Sequence, residues 1–264
     1  MMSYLLFFIA TIAAGTINAL AGGGGLITFP LLMLAVTPVT ADATSAFALF
    51  FAYPAAVWRT RNQVEGVFGS GWLWLLLIPS VLGGLIGGVL LSRTDSRSFI
   101  ELVPWLVLVA TFIIVLRPIL VRRDQTGSVH PAITAALWPV AIAGIFLVGL
   151  YGGYFGSGIG ILMIGALTFI SRGDIRHVVA LKNFLTLCMR GTAILVLIYE
   201  GNVNWSYGLP MAIGGLIGGY LGGTISHRAN RTVIRGLVIT IGFAASAYYF
   251  WKLYGSAVVR AGAE

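Results

Sequence analysis

Runs of about 20 apolar residues, each long enough to cross the roughly 30 Å hydrocarbon core of a bilayer as a helix, recur along this chain. They cover residues 4–20, 41–58, 72–91, 99–116, 132–150, 178–198, 207–225 and 237–251. Two shorter apolar pieces, 26–36 and 161–170, are too short to span unaided. Each follows a glycine-rich break, AGGGG at 21–25 and FGSGIG at 155–160. The stretch 4–20 has no basic residues ahead of it and runs straight into the first break, so it reads as a first membrane element rather than a secretory signal.

The order of these pieces repeats. GGLIGG occurs at 83–88 and again at 214–219. Ahead of each copy come an apolar segment, a glycine break, a short apolar half-segment and a helix carrying polar residues; behind each come an Arg-containing loop and one more apolar segment. The chain therefore divides into a first membrane repeat at 1–122, a cytoplasmic linker at 123–130 and a second repeat at 131–264. Glycines four apart, as in Gly83 with Gly87 or Gly214 with Gly218, share one helix face and let helices pack closely.

Lys and Arg concentrate in cytoplasmic loops. The basic loops here are 59–63, 117–123, 172–176 and 227–235, while 36–40 and 200–206 carry no Lys or Arg. Setting the basic group in the cytoplasm gives each half a re-entrant or paired hairpin with both ends on one side, followed by three crossings. An odd number of crossings delivers the second half from the opposite side. The expected fold is an all-α integral membrane protein of two inverted-topology repeats, each a glycine-broken hairpin plus three transmembrane helices, with both termini outside. The loop holding Arg93 and Arg97 then also falls outside, where Asp95 offsets part of its charge.

Composition agrees. Hydrophobic residues make up 58% of the chain and charged residues only 9%, against roughly a quarter charged in a soluble domain, and the mean hydropathy is +0.96. The net charge of +8 sits in short Arg clusters between apolar segments, which reads as topology and not as a nucleic-acid footprint. A single cysteine, Cys188, rules out a disulfide or thiolate-zinc site within the chain. Trp58, Trp72, Trp74, Trp138, Trp205 and Trp251 fall near segment ends, where tryptophan anchors membrane interfaces.

Backbone groups freed at a glycine break inside a membrane must be satisfied by protein or by a water-lined cavity. At Gly22, Gly23, Gly24 and Gly25, and at Gly156, Gly158 and Gly160, missing side chains bring backbone N–H groups close to a ligand, and a helix opening just after each break aims its positive end there. An anion suits that field. Such glycines also serve helix packing; two breaks at equivalent positions favour a ligand. Asn18 lies one turn before the first break and Thr28 just after it, with Thr44 and Ser45 on the next segment; Ser157 sits within the second break, flanked by Tyr151 and Tyr154.

Segment 178–198 holds Lys182, Asn183 and Arg190, and ionisable residues at membrane depth mark functional sites. Asn183 and Arg190 are two helical turns apart on one face, with Thr186 between them, and can present a cation and hydrogen-bond donors to an oxyanion. Lys182 either shares that role or snorkels to the nearby interface; Arg190 is too deep to snorkel, and its competing role is bonding carbonyls exposed at a break. Asp42 reads as an N-terminal cap of its helix. Three histidines in loops, and no paired carboxylates or nucleophile motif, argue against an enzyme.

These motifs resemble the sulfite exporter TauE/SafE family. The resemblance rests on GTINALAGGGGLITFPLL at 15–32 with ADATSAFAL at 41–49, and on GLYGGYFGSGIGILM at 149–163 with the later EGNVNW and GLPMAIGGLIGGYLGG, and it covers nearly the whole chain. It implies export of sulfite, a sulfonate or another small organosulfur oxyanion across the cytoplasmic membrane. Where the family often has Pro, this chain has Ser157. Ala43, Thr44 and Ser45 match the family's ATS-like segment, and Lys182 with Asn183 its Lys-containing counterpart. The expectation is a multi-pass secondary transporter of the cytoplasmic membrane, with no cofactor, no nucleic-acid partner and no ATP motif. A small anion and the bilayer are its partners, with room for a coupling ion or proton and for a homo-oligomer. The alternatives are a passive anion channel and a non-transporting scaffold subunit.

Overall fold

The computed structural model describes residues 2–20, 22–63, 71–120, 130–131, 135–172, 175–225, 231–251 and 253. Most of the linker expected at 123–130, and residues 227–230 of the last basic loop, lie outside the described residues. The first half contains α1 (Met2–Leu20), the short α2 (Gly25–Leu32), α3 (Pro38–Phe50), α4 (Ala52–Thr60), α5 (Gly71–Arg93) and α6 (Ser96–Leu120). The second contains α7 (Trp138–Tyr154), α8 (Ile159–Ile170), α9 (Ile175–Tyr199), α10 (Trp205–Ile225) and α11 (Arg231–Phe250). Among the described residues the only strand pairing is a two-residue antiparallel bridge between β1 (His130–Pro131) and β2 (Ser171–Arg172).

Each apolar segment becomes a helix, with one correction. The run at 41–58 is two helices, α3 and α4, meeting at Phe51. Pro54 has no N–H to return to the carbonyl four residues back, that of Phe50, so the helical ladder opens there. Pro79 in α5 and Pro210 in α10 do not end their helices, and each stands four residues ahead of its GGLIGG copy.

The helices are packed with small residues inward and large ones outward. In α5, Gly83, Gly84, Gly87 and Gly88 are buried while Trp74, Ile78, Leu82, Leu85 and Leu90 are exposed. In α10, Gly214, Gly215, Gly218 and Gly219 are buried while Leu209, Ile213, Leu216 and Tyr220 are exposed. Water would favour the reverse; hydrocarbon is as apolar as leucine, so packing between small residues, and not burial of large ones, holds the helices together. Among the described residues three helices are long and apolar enough to cross a membrane, at Gly71–Arg93, His177–Tyr199 and Trp205–Ile225. Trp58, Trp74, Trp205 and Trp251 are exposed, as interface anchors must be.

The glycine helices exchange partners between the halves. α5 lies along α7 and α9, α10 lies along α1, α3 and α4, and α6 packs with α11. A Cβ on Gly83 or Gly87 would stand 2.7 Å from a backbone nitrogen of α7, that of Leu150 or Tyr154; one on Gly218 would stand 2.9 Å from the Thr16 nitrogen of α1. Gly84 and Gly88 face Met189 and Ala193 of α9, and Gly215 and Gly219 face Ala48 of α3 and Ala52 of α4. The four-residue spacing is therefore used on two faces of each helix, and no side chain fits on either.

Candidate functional site

The two glycine breaks meet. Gly22, Gly156 and Gly158 have φ of +85°, +67° and +80°, the left-handed region in which an L side chain is strained. A Cβ on Gly22 would fall 2.5 Å from the Gly160 nitrogen, and one on Gly25 would fall 3.1 Å from the Ser157 Cα. The starts of α2 and α8 thus lie against each other. The helices open at Gly25 and Ile159, slightly ahead of the expected starts, and Gly24 at the N-cap of α2 offers no side-chain cap.

Side chains from other elements satisfy the carbonyls these breaks free. The Lys182 ammonium, fully buried, donates to the Asn18 and Ala19 carbonyls at the end of α1 at 3.2 and 3.4 Å. The Tyr151 hydroxyl lies 2.9 Å from the Ser157 carbonyl and 3.3 Å from that of Leu106. Thr28 and Ser45 hydroxyls pair at 2.5 Å, tying α2 to α3. An aromatic wall closes the neighbouring space: Phe29 meets Phe155 edge-on with ring centres 5.4 Å apart, and Phe99 lies 6.1 Å from both.

What remains is a set of buried polar atoms with no hydrogen-bond partner. Asn18 Nδ2, Asp42 Oδ2, Asn183 Oδ1, Thr186 Oγ1 and Arg190 Nη1 all belong to it. Arg190 is 5% exposed, and its guanidinium fills the space a side chain on Gly156 would need. Its charge acts on Asp42, Tyr53 and Tyr151, and Tyr53 lies beside both Asn18 and Arg190. Unpaired polar atoms in a buried setting are costly, so an unpartnered guanidinium nitrogen acting on a buried carboxyl marks a place built to receive polar matter.

Of the residues singled out in the sequence, Asn18, Gly22, Gly24, Gly25, Thr28, Ser45, Gly156, Ser157, Gly158, Gly160 and Arg190 lie at or next to the junction of the breaks, and Asn183 is buried on α9 two turns before Arg190. Gly23 is buried next to them. Thr44 points elsewhere: its hydroxyl accepts from the Asn204 N–H at 3.0 Å, fastening the loop before α10. The carbonyl-binding role weighed for Arg190 belongs to Lys182, which does not snorkel. Asp42 does not cap its helix: α3 begins at Pro38, so Asp42 lies past the first turn and is 2% exposed. Asp42 takes the interior position that its reading as a cap set second, and Tyr53 enters the site unforeseen. Their one sequence signal is a polar group within an otherwise apolar run.

Residues 7–249 match the family model described as sulfite exporter TauE/SafE. The chain belongs to that family. TauE/SafE proteins are membrane transporters and not an enzyme class, and this chain is a helical membrane protein of that type. A protein of Haemophilus influenzae named "Probable membrane transporter protein" is 27% identical over 244 residues, covering 92% of each chain. Escherichia coli K12 YfcA, of the same descriptive name, is 25% identical over 258 residues, covering 97% of this chain and 92% of its own. Bacillus subtilis YunE is 28% identical over 253 residues, covering 88% and 92%.

Proposed function

We propose that the chain is a secondary transporter that carries a small anion, sulfite, a sulfonate or another organosulfur oxyanion, across the cytoplasmic membrane in several crossings, and that it works as an exporter. The observation that carries this reading is Arg190: a buried guanidinium with an unpartnered Nη1, seated on the Gly156 turn beside Tyr53, which also lies against Asn18 with its unpartnered Nδ2. Arg offers a planar bidentate fork that matches an oxyanion, and two opposed helix starts add positive ends of backbone dipoles. The exchanged packing of α5 with α7 and of α10 with α1 supports two inverted-topology repeats, one rocking against the other about the junction.

Uptake and counterflow of labelled sulfite, thiosulfate and a small sulfonate in proteoliposomes test it, with Arg190→Ala and Asn183→Ala beside the native chain. Saturable flux, lost in folded variants, is the expected result. Unitary conductance far above transporter turnover would make the protein a passive anion channel. No flux of any of the three, with a stable partner on co-purification, would make it a scaffold subunit.

A further inference from the structure

Asp42 and Arg190 are opposite charges, 2% and 5% exposed, on helices α3 and α9 that pack against each other. The Arg190 charge acts on Asp42. Yet Asp42 Oδ2 and Arg190 Nη1 both lack a hydrogen-bond partner, and no ion pair closes the space between them. A buried pair at contact would satisfy both groups; a buried pair held apart leaves each able to take another partner.

Among the described side chains, no other titratable group around α3 forms an ion pair with Asp42. α1, α2 and α10 carry no charged side chain. α4 offers Tyr53, beside Arg190, and the exposed Arg59. On α6, Arg97 and Glu101 are paired with each other at the surface. On α9, His177 stands in the first turn, Lys182 donates to the carbonyls of α1 and faces the Tyr53 ring, and on α7 Tyr151 lies in the field of both Asp42 and Arg190.

Resting on the transport reading above, we propose that Asp42 is the proton acceptor of the transport cycle: it takes up one proton when a substrate anion claims Arg190, and gives it up when the anion leaves. Burial acts against the Asp42 carboxylate, the Arg190 charge only partly offsets it, and an anion on the guanidinium cancels that offset. Two negative charges then share one buried chamber, and a proton from the open side onto an Asp42 carboxylate oxygen relieves this. Anion and proton therefore bind together, and linkage requires the reverse: a proton on Asp42 tightens anion binding. Lower pH on the binding side raises affinity, a monoanion crosses with its proton without net charge, and export by this cycle draws on the outward gradient of the anion itself.

The test uses the full chain in proteoliposomes with labelled ethanesulfonate and thiosulfate, whose charges do not change over the neutral range. For the native chain, uptake should alkalinise the outside medium by one proton per ethanesulfonate, and KM should fall as external pH is lowered, approaching about tenfold per pH unit at full coupling. Asp42→Asn should slow transport, and whatever flux it keeps should move no protons and show a KM flat with pH. Native flux without proton movement, or an Asp42→Asn chain that still moves protons with the anion, would overturn the proposal while leaving the transport reading intact. No native flux of either probe, nor of labelled sulfite, would overturn both. If Asp42→Asn carries no flux, the native proton count and KM against pH decide alone.

Discussion

Gly22 and Gly160 meet backbone to backbone, one from each half of the chain, so closely that a Cβ on Gly22 would lie 2.5 Å from the Gly160 nitrogen. Gly22→Ala must therefore meet two costs, a left-handed φ of about 1–2 kcal/mol and an overpacked contact of about 1–3 kcal/mol. Gly201 also has a positive φ, +71°, but nothing within 4 Å of a Cβ. Gly201→Ala should lose only the first of these. Unfolding of both variants in detergent, followed by tryptophan fluorescence, should show Gly22→Ala markedly the less stable, and equal losses would mean the breaks are not in contact.

The glycine helices give a second contrast. Gly87 faces the Leu150 and Tyr154 backbone of α7, whereas Gly144 on α7 itself has open space around it. Gly87→Ala should cost about 1–3 kcal/mol through forced separation of α5 and α7. Gly144→Ala should be neutral or slightly stabilising, since Ala has the better helix propensity and less unfolded-chain entropy to lose.

Helix positions and the packing role of GGLIGG were legible because apolar length and four-residue glycine spacing are local properties. The break in 41–58 was legible in principle from Pro54, but Pro79 and Pro210 sit inside continuous helices, so proline alone does not mark a break. The site was half legible. Arg190, Asn183 and the glycines announce themselves as polar or missing side chains at membrane depth. Lys182 as carbonyl binder, Thr44 as loop fastener and Asp42 as an interior carboxylate depend on which neighbour a side chain reaches across 160 residues of sequence, which no local pattern records.

Lys182→Met keeps the aliphatic stem and removes the ammonium. It leaves the Asn18 and Ala19 carbonyls without their donor, at about 1–3 kcal/mol for each buried group left unmade. Lys182→Arg should recover part of this and Lys182→Met none. A purely electrostatic role would instead make Arg fully sufficient, which thermal unfolding of the two variants distinguishes.

Outside the apolar segments, Asp95 stands just before α6 and its Oδ2 accepts the Arg97 and Ser98 N–H groups at 3.1 and 2.9 Å. Those hydrogen bonds, that to Ser98 foremost, hold its carboxyl below the ordinary value of 3.8. The sign follows: the contribution is present above that ordinary value and fades as pH falls through the lower folded one. Hydrogen exchange at the first turn of α6 should therefore quicken in acid in the native chain, and should be faster and pH-insensitive there in Asp95→Ala after the intrinsic rate is subtracted.

Arg190 and Asp42 should be energetically coupled. Arg190→Gln strands the Asp42 carboxylate without its countercharge, and Asp42→Asn strands the guanidinium; the double variant strands neither. In a cycle of these four proteins, the double variant should be more stable than the sum of the single losses predicts, by about 0.5–3 kcal/mol. Its flux should nonetheless be absent, because a carboxamide at 190 offers neither the charge nor the fork an oxyanion needs. Strict additivity would mean that the two groups do not share a field. An anion at Arg190 would then have no reason to change the protonation of Asp42, and proton coupling through that residue would fall with it.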